Sequence, residues 1–209
     1  MKLIIFGATG MVGKQLVKQA LFNGHEVKAY GRNVFTEDLP KNDKLELVQG
    51  ALFDEGPVYK AIKSCDAVIS SLGGGYDGAD KTRSLGMKNI VEQMKKAGVR
   101  RIVAVGGMGV LNADENKLIM EQEDFPPEYV AVSEEHKKAY EFLKDSLLQW
   151  TFVCPPMIRD GEPTGVFNTL ADYMPTPNKS WIGSGDLSLF MLNELSKNEF
   201  VHHRVGISY

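Results

Sequence analysis

An apolar run, Lys2-Leu3-Ile4-Ile5-Phe6, breaks into three glycines at positions 7, 10 and 13, in the stretch GATGMVG. No other feature constrains the chain as tightly. Residues with helical spacing follow at once, so the segment reads as strand, tight turn and helix. The first glycine permits the sharp turn out of the strand. The second lets the backbone come close to a ligand, and the third lets the helix pack on the strand. Free N–H groups and partial positive charge at the helix start suit a pyrophosphate. A tight turn with no ligand is the alternative reading of the same spacing.

The rest of the chain alternates in the same way. Val12, Leu16, Ala20 and Leu21 mark a helix over 11–23, stopped by Asn23-Gly24. Strands are expected at EVKAY (26–30), LELVQ (45–49) and DAVISSL (66–72), with a short helix from Pro57 to about Ser64. A long helix over about 79–97 turns Leu85, Ile90, Val91 and Met94 inward, and Gly98 caps it. RIVAVGG (101–107) is a fifth strand, a helix covers about 132–147, and WTFVCPP (150–156) is a sixth strand. Residues 161–185 are rich in glycine and proline and read as loop. Asp186 is placed to N-cap a last helix carrying Leu187, Phe190, Met191 and Leu195, and VGISY (205–209) closes the chain as a strand. Strands alternating with helices predict an α/β fold, a doubly wound and mostly parallel sheet with helices on both faces. One domain over 1–209 is expected, with a small substrate-lining region at about 157–185.

The net charge of −3 argues against a nucleic-acid partner, which requires a basic footprint. Cys65 and Cys154 sit in apolar contexts and read as buried thiols, with no metal-type spacing. His202 and His203 lie on a polar turn with no third ligand spaced beside them, so no metal site is expected. No apolar run reaches the ~18 residues of a membrane span, and the start lacks a signal-peptide layout. A cytoplasmic protein with no membrane partner is expected. The C-terminal region offers no long helical stripe for pairing, so a monomer is expected too.

The end of the second strand bears on which dinucleotide the loop suits. NAD sites commonly carry an acidic residue there for the ribose hydroxyls. This chain has Tyr30-Gly31-Arg32-Asn33. An arginine can pair with a 2′-phosphate and stack on adenine, which favours NADP(H) over NAD(H). A solvated surface arginine is the other reading.

GATGMVG, the YGRN after the second strand, the SSLGG after the fourth and the helix with Gly86 and Asn89 resemble atypical short-chain dehydrogenases/reductases. HKKAYEFLKDSLLQWTFVCPPMIRDGEPTG and SGDLSLFML narrow the likeness to the biliverdin-IXβ reductase/flavin reductase group, within the NAD(P)-binding, NmrA-like set. The resemblance spans essentially the whole chain and implies a Rossmann-like fold. It implies that Gly7, Thr9, Gly10, Met11 and Val12 hold the pyrophosphate and Arg32 the 2′-phosphate. Leu72, Gly73 and Gly74 would line the adenine-side ribose and lead toward the nicotinamide. Gly106 and Gly107 would lie under that ring, with Pro155, Pro156, Met157 and Ile158 holding its carboxamide.

Departures from the family pattern are as informative. Gly50-Ala51 replaces the usual Gly-Asp after the third strand, leaving main-chain contacts from Ala51 and Leu52. Short-chain reductases of alcohols and ketones use a Tyr-x-x-x-Lys pair for proton transfer. Aligned by Ala139, this chain places Val132 at the tyrosine and His136 at the lysine position. The biliverdin/flavin group's serine after strand five and histidine after Pro-Pro are here Gly107 and Met157. His136 is the one ionisable residue expected by the nicotinamide ribose and the catalytic candidate, as a hydrogen-bonding group; a surface imidazole is the bland alternative. Tyr76, Met108 and Trp181 are the candidate substrate-lining residues. Expected is an NADP(H)-dependent reductase of a planar acceptor: a flavin, a quinone or a biliverdin-like tetrapyrrole. A non-catalytic NADP-binding redox sensor is the alternative. A nucleotide-sugar epimerase or dehydratase ranks third, since that chemistry relies on the tyrosine.

Overall fold

In the first strand, β1 (Lys2–Phe6), Leu3 and Ile5 face one side and Ile4 and Phe6 the other, and all four are fully buried. Alternation with both faces apolar is the signature of a central strand in a sheet covered twice. A computed structural model describes residues 1–36 and 38–209 of the chain. Helix α1 (Met11–Phe22) follows, then β2 (Glu26–Gly31), β3 (Leu45–Gln49), α2 (Glu55–Ile62), β4 (Ala67–Ser70) and α3 (Thr82–Ala97). The second half comprises β5 (Arg101–Val105), α4 (Val130–Lys144), β6 (Gln149–Cys154), β7 (Met157–Arg159), β8 (Asn168–Ala171), β9 (Trp181–Gly183), α5 (Ser184–Lys197) and β10 (His203–Ser208).

Eight strands form one sheet in the order β3-β2-β1-β4-β5-β6-β10-β8, and β7 and β9 form a separate parallel pair. Within the large sheet every pairing is parallel except β10 with β8. Residues of α2, α3 and α4 pack with Ile4, Phe6, Val68, Ile102 and Phe152 on one face. Residues of α1 and α5 pack with Leu3, Ile5, Val27, Val103 and Val205 on the other. The fold is therefore the Rossmann-like α/β arrangement expected. A buried ion pair ties its centre: Arg101 Nη2 on β5 meets Glu194 Oε1 on α5 at 3.0 Å, and Thr151 on β6 donates to the same carboxylate oxygen at 3.1 Å.

Four expectations need correction. Leu85 points outward and is 48% exposed, because α3 presents Ser84, Met87 and Val91 to its neighbours instead. Helix α2 starts at Glu55, two residues before Pro57. Residues 161–185 are not merely loop: they contain β8 and β9, and α5 begins at Ser184. Asp186 does not cap that helix, whose N-cap is Gly183. It turns back from the first turn to accept hydrogen bonds from the Thr164 and Gly165 N–H groups, the Thr164 hydroxyl and the Tyr209 hydroxyl.

Candidate functional site

Because β3, β2, β1, β4, β5 and β6 run parallel, the loops leaving them open on one edge of the sheet. Chain connections diverge between β1 and β4, and that switch point is where open α/β sheets bind ligands. The turn after β1 sits there. Gly7 adopts φ +78°, and a side chain on it would collide with the Ser71 backbone beyond β4. A Cβ at Gly13 would lie 2.0 Å from the Gly7 carbonyl oxygen, so only glycine lets α1 seat against the turn. Gly10 differs. It is exposed, and an added Cβ would meet nothing closer than 3.5 Å. It is also the N-cap of α1 and supplies no side-chain cap, so the first N–H groups of the helix stay available to a ligand. Thr9 and Met11 flank it, partly and largely exposed, while Val12 is buried beneath.

At the end of β2, Arg32 is exposed, and among the described residues its guanidinium makes no hydrogen bond. The main chain after β3 is less free than the sequence implies. The Ala51 carbonyl accepts the Tyr30 hydroxyl at 2.9 Å, and the Leu52 carbonyl accepts Asn89 Nδ2 at 2.8 Å. Burial pushes the Tyr30 phenol up to about 12, aided by nearby Asp54, so it remains a donor to Ala51. Both carbonyls thus share their lone pairs with a side chain, which leaves the two N–H groups as the freer main-chain contacts to a ligand. Beyond β4, Leu72 is buried and Gly73 and Gly74 are exposed, with open space around Gly73.

The chain after β5 runs against α4. Gly106 is buried, with Phe152 where a side chain would go. Gly107 faces His136, whose Cδ2 would be 2.8 Å from an added Cβ, and Gly109 faces Ser133 in the same way. His136 is half-buried rather than on an open helix surface, with its ring 6.5 Å from that of Phe152. Burial, and then the positive charge of Arg83, lower its basicity to about 3, outweighing the opposite pull of Glu135. The imidazole is neutral at physiological pH. Met108 is partly buried against the core, and its N–H donates to the Pro155 carbonyl at 3.1 Å. Pro155 and Pro156 are buried. Met157 is 56% exposed and Ile158 half-buried, both on β7. Trp181, in register with Met157 on β9, is already engaged by Tyr209 at 4.7 Å and the Arg159 guanidinium at 4.8 Å. Tyr76 is 64% exposed beyond the glycines.

One cluster has no motif in the sequence. Arg83, buried on α3, donates from Nη1 and Nη2 to the Gly75 and Gly74 carbonyls at 2.8 and 3.0 Å. Beside it, Glu135 on α4 is held by Ser84, by Lys81 at 3.0 Å and by Lys138 at 3.0 Å. Burial alone would raise that carboxyl, but these donors bring it down to about 2. The local string DKTRS gives no periodic or motif signal for this role; only the packing of α3 on α4 reveals it. A shallow groove of about 370 Å³, lined by Lys2, Glu26, Lys28, Asp43 and Glu46, lies at the opposite ends of β2 and β3 and carries none of the candidate residues.

The uncapped α1, the open Gly10 and Gly73, and the cation at Arg32 together fit a dinucleotide laid along this edge. A family model described as NAD(P)H-binding matches residues 7–197. The chain belongs to this NAD(P)H-binding family. The uncharacterized protein YwnB of Bacillus subtilis (strain 168) is 28% identical over 214 residues, covering 99% of this chain and 98% of the relative. A Bacteroides thetaiotaomicron structure described as a "putative epimerase" superposes with TM-score 0.88 at 28% identity, covering 100% of this chain and 96% of that one. A "putative NADH-flavin reductase" from Streptococcus pneumoniae TIGR4 superposes with TM-score 0.83 at 28% identity, covering 100% and 99%. The resemblance to atypical short-chain dehydrogenases/reductases holds. Among the described residues no helix is long and apolar enough to cross a membrane, and no group of His, Cys, Asp or Glu is placed to hold a metal ion.

Proposed function

We propose that this NAD(P)H-binding chain is an NADP(H)-dependent reductase that passes a hydride to a planar acceptor of the flavin, quinone or tetrapyrrole class. The observation that carries the reading is the pairing of Gly107 with a neutral, half-buried His136 at the end of β5. When bound, a reduced nicotinamide supplies the hydride, and the protein supplies orientation and environment. Gly10 and the first turn of α1 hold the pyrophosphate, and Arg32 pairs with the 2′-phosphate. Gly107 keeps the floor low beside the ring position. His136 holds a ribose hydroxyl rather than delivering a proton, since its basicity is far too low for a general acid near neutrality. Acceptors that tolerate two added electrons before a proton arrives from water match such a site. Carbonyl reduction and nucleotide-sugar epimerisation rely on a tyrosine acid, where this chain has Val132.

NADPH oxidation assayed with FMN, quinones and biliverdin tests the reading. Turnover well above the uncatalysed rate with at least one acceptor is expected. Tight NADPH binding without turnover on any of them would reject it in favour of a redox-sensing, NmrA-like role. Replacing Arg32→Ala is expected to weaken NADPH roughly tenfold or more and NADH less than about twofold, as titrated by nicotinamide fluorescence. Equal losses would reject the 2′-phosphate assignment.

A further inference from the structure

Arg83 is buried, yet among the described residues no carboxylate lies within ion-pair distance of its guanidinium. Its two terminal nitrogens bond to carbonyls, and its Nε is buried with no hydrogen-bond partner. The nearby carboxylates are occupied or screened. Asp80 accepts the Gly75 and Thr82 N–H groups, Glu135 is taken by two lysines and Ser84, and Asp77 is exposed to water. Burial lowers the basicity of Arg83, as expected for a cation with incomplete compensation. Its charge is nonetheless felt at His136, inside the site.

Above this charge stands an aromatic pair. The Tyr76 ring lies 5.8 Å from the Arg83 guanidinium carbon and meets Tyr129 edge-on at 6.4 Å. Both rings are exposed, 64% and 40%. Tyr129, at the start of α4, lies seven residues before His136, on the same side of the helix and about 10 Å away along its axis. Between them Ser133 faces Gly109 as His136 faces Gly107, so the chain leaving β5 tracks this same helix face. The span matches the length of a fused two- or three-ring system. An exposed aromatic pair backed by a cation offers a stacking surface whose potential is shifted toward positive.

We propose that Tyr76, with Arg83 behind its ring, and Tyr129, edge-on to it, form the outer wall of the acceptor site and select planar acceptors that carry negative charge. This rests on the reductase reading and narrows it: an anionic ring system is preferred over its neutral counterpart. Tyr76 and Tyr129 supply stacking to either, whereas Arg83 supplies the difference between them.

Calorimetric titration of the NADP⁺-saturated protein with 2-naphthalenesulfonate and with neutral 2-naphthalenesulfonamide tests this directly. Saturation with NADP⁺ keeps the sulfonate out of the phosphate sites. The sulfonate is expected to bind roughly tenfold more tightly than the sulfonamide, the effect of one partly screened charge at close range. Arg83→Gln is expected to bring that ratio close to one, and Arg83→Lys to keep most of it. Tyr129→Ala, a change at an exposed ring, is expected to weaken both ligands and leave the ratio standing. A wild-type ratio near one overturns the proposal without any variant, which matters if Arg83→Gln unfolds by releasing Gly74 and Gly75. Unchanged affinities in both Tyr76→Ala and Tyr129→Ala overturn it as well. NADPH oxidation with 1,4-naphthoquinone-2-sulfonate and with 2-methyl-1,4-naphthoquinone separates the two levels. A sulfonate preference in binding, with no turnover on either quinone or on FMN or biliverdin, supports the charged wall and rejects the reductase reading. Turnover on both quinones with equal KM values keeps the reductase and overturns the charged wall.

Discussion

A methyl group at Gly13 would sit 2.0 Å from a backbone oxygen, whereas one at Gly10 would meet only ordinary van der Waals contact. The two substitutions are therefore expected to fail differently. Gly13→Ala forces α1 off the turn and is expected to cost roughly 3 kcal/mol in urea unfolding. Gly10→Ala, whose φ of −77° any residue adopts, is expected to leave stability nearly unchanged while weakening NADPH on the order of tenfold. His136 gives a pH signature of its own. Its basicity is about 3 in the folded protein against an ordinary 6.5, so the unfolded chain takes up the proton first as pH falls. On its account stability is flat above about pH 7 and declines below 6.5 toward 3. Discounted for its partial exposure, the loss at pH 5 is roughly 1 kcal/mol. Urea midpoints at pH 7.5 and pH 5 are expected to differ less in His136→Gln than in the parent protein.

At the scale of elements, β1 and the body of α1 fall where periodicity puts them, because Leu3, Ile5 and Leu16 are each fully buried by neighbours of similar kind, and β3 does so with Leu45 and Leu47 only partly buried. Periodicity fails where an element is too short to repeat. β8 and β9 have four and three residues, and each exists through a partner strand distant in sequence, β10 and β7. Asp186 looks like a cap because it precedes apolar residues, yet the Thr164 and Gly165 N–H groups claim it from a loop no local signal connects to it. Around the site, the glycine turns were legible, since close backbone approach leaves glycine as the usual solution. The Arg83 and Glu135 cluster was not, because a helix surface and a buried helix contact use the same residue types. The pairing of β5 with α5 through Arg101 and Glu194 invites a test. Glu194→Ala leaves a buried guanidinium uncompensated and is expected to cost about 3–5 kcal/mol, while Arg101→Met combined with Glu194→Leu recovers most of it. Urea denaturation of the two variants beside the parent protein reads the difference.

For the whole molecule, the parallel order of six strands does the functional sorting. It places every loop that follows them on one edge, so residues as far apart as Gly10, Arg32, Gly73 and Gly107 come to the same edge of the sheet without any local instruction. The same topology orders events in time. β10 lies between β6 and β8, although both precede it in the chain. A growing chain that has finished β8 must add about 35 further residues before the strand that pairs with it is complete, which at ordinary synthesis rates takes about 2–7 s. During that interval β6 and β8 both lack the strand that lies between them in the finished sheet. An edge left open for seconds is the opening a chaperone would take, and the one through which a crowded nascent chain would aggregate.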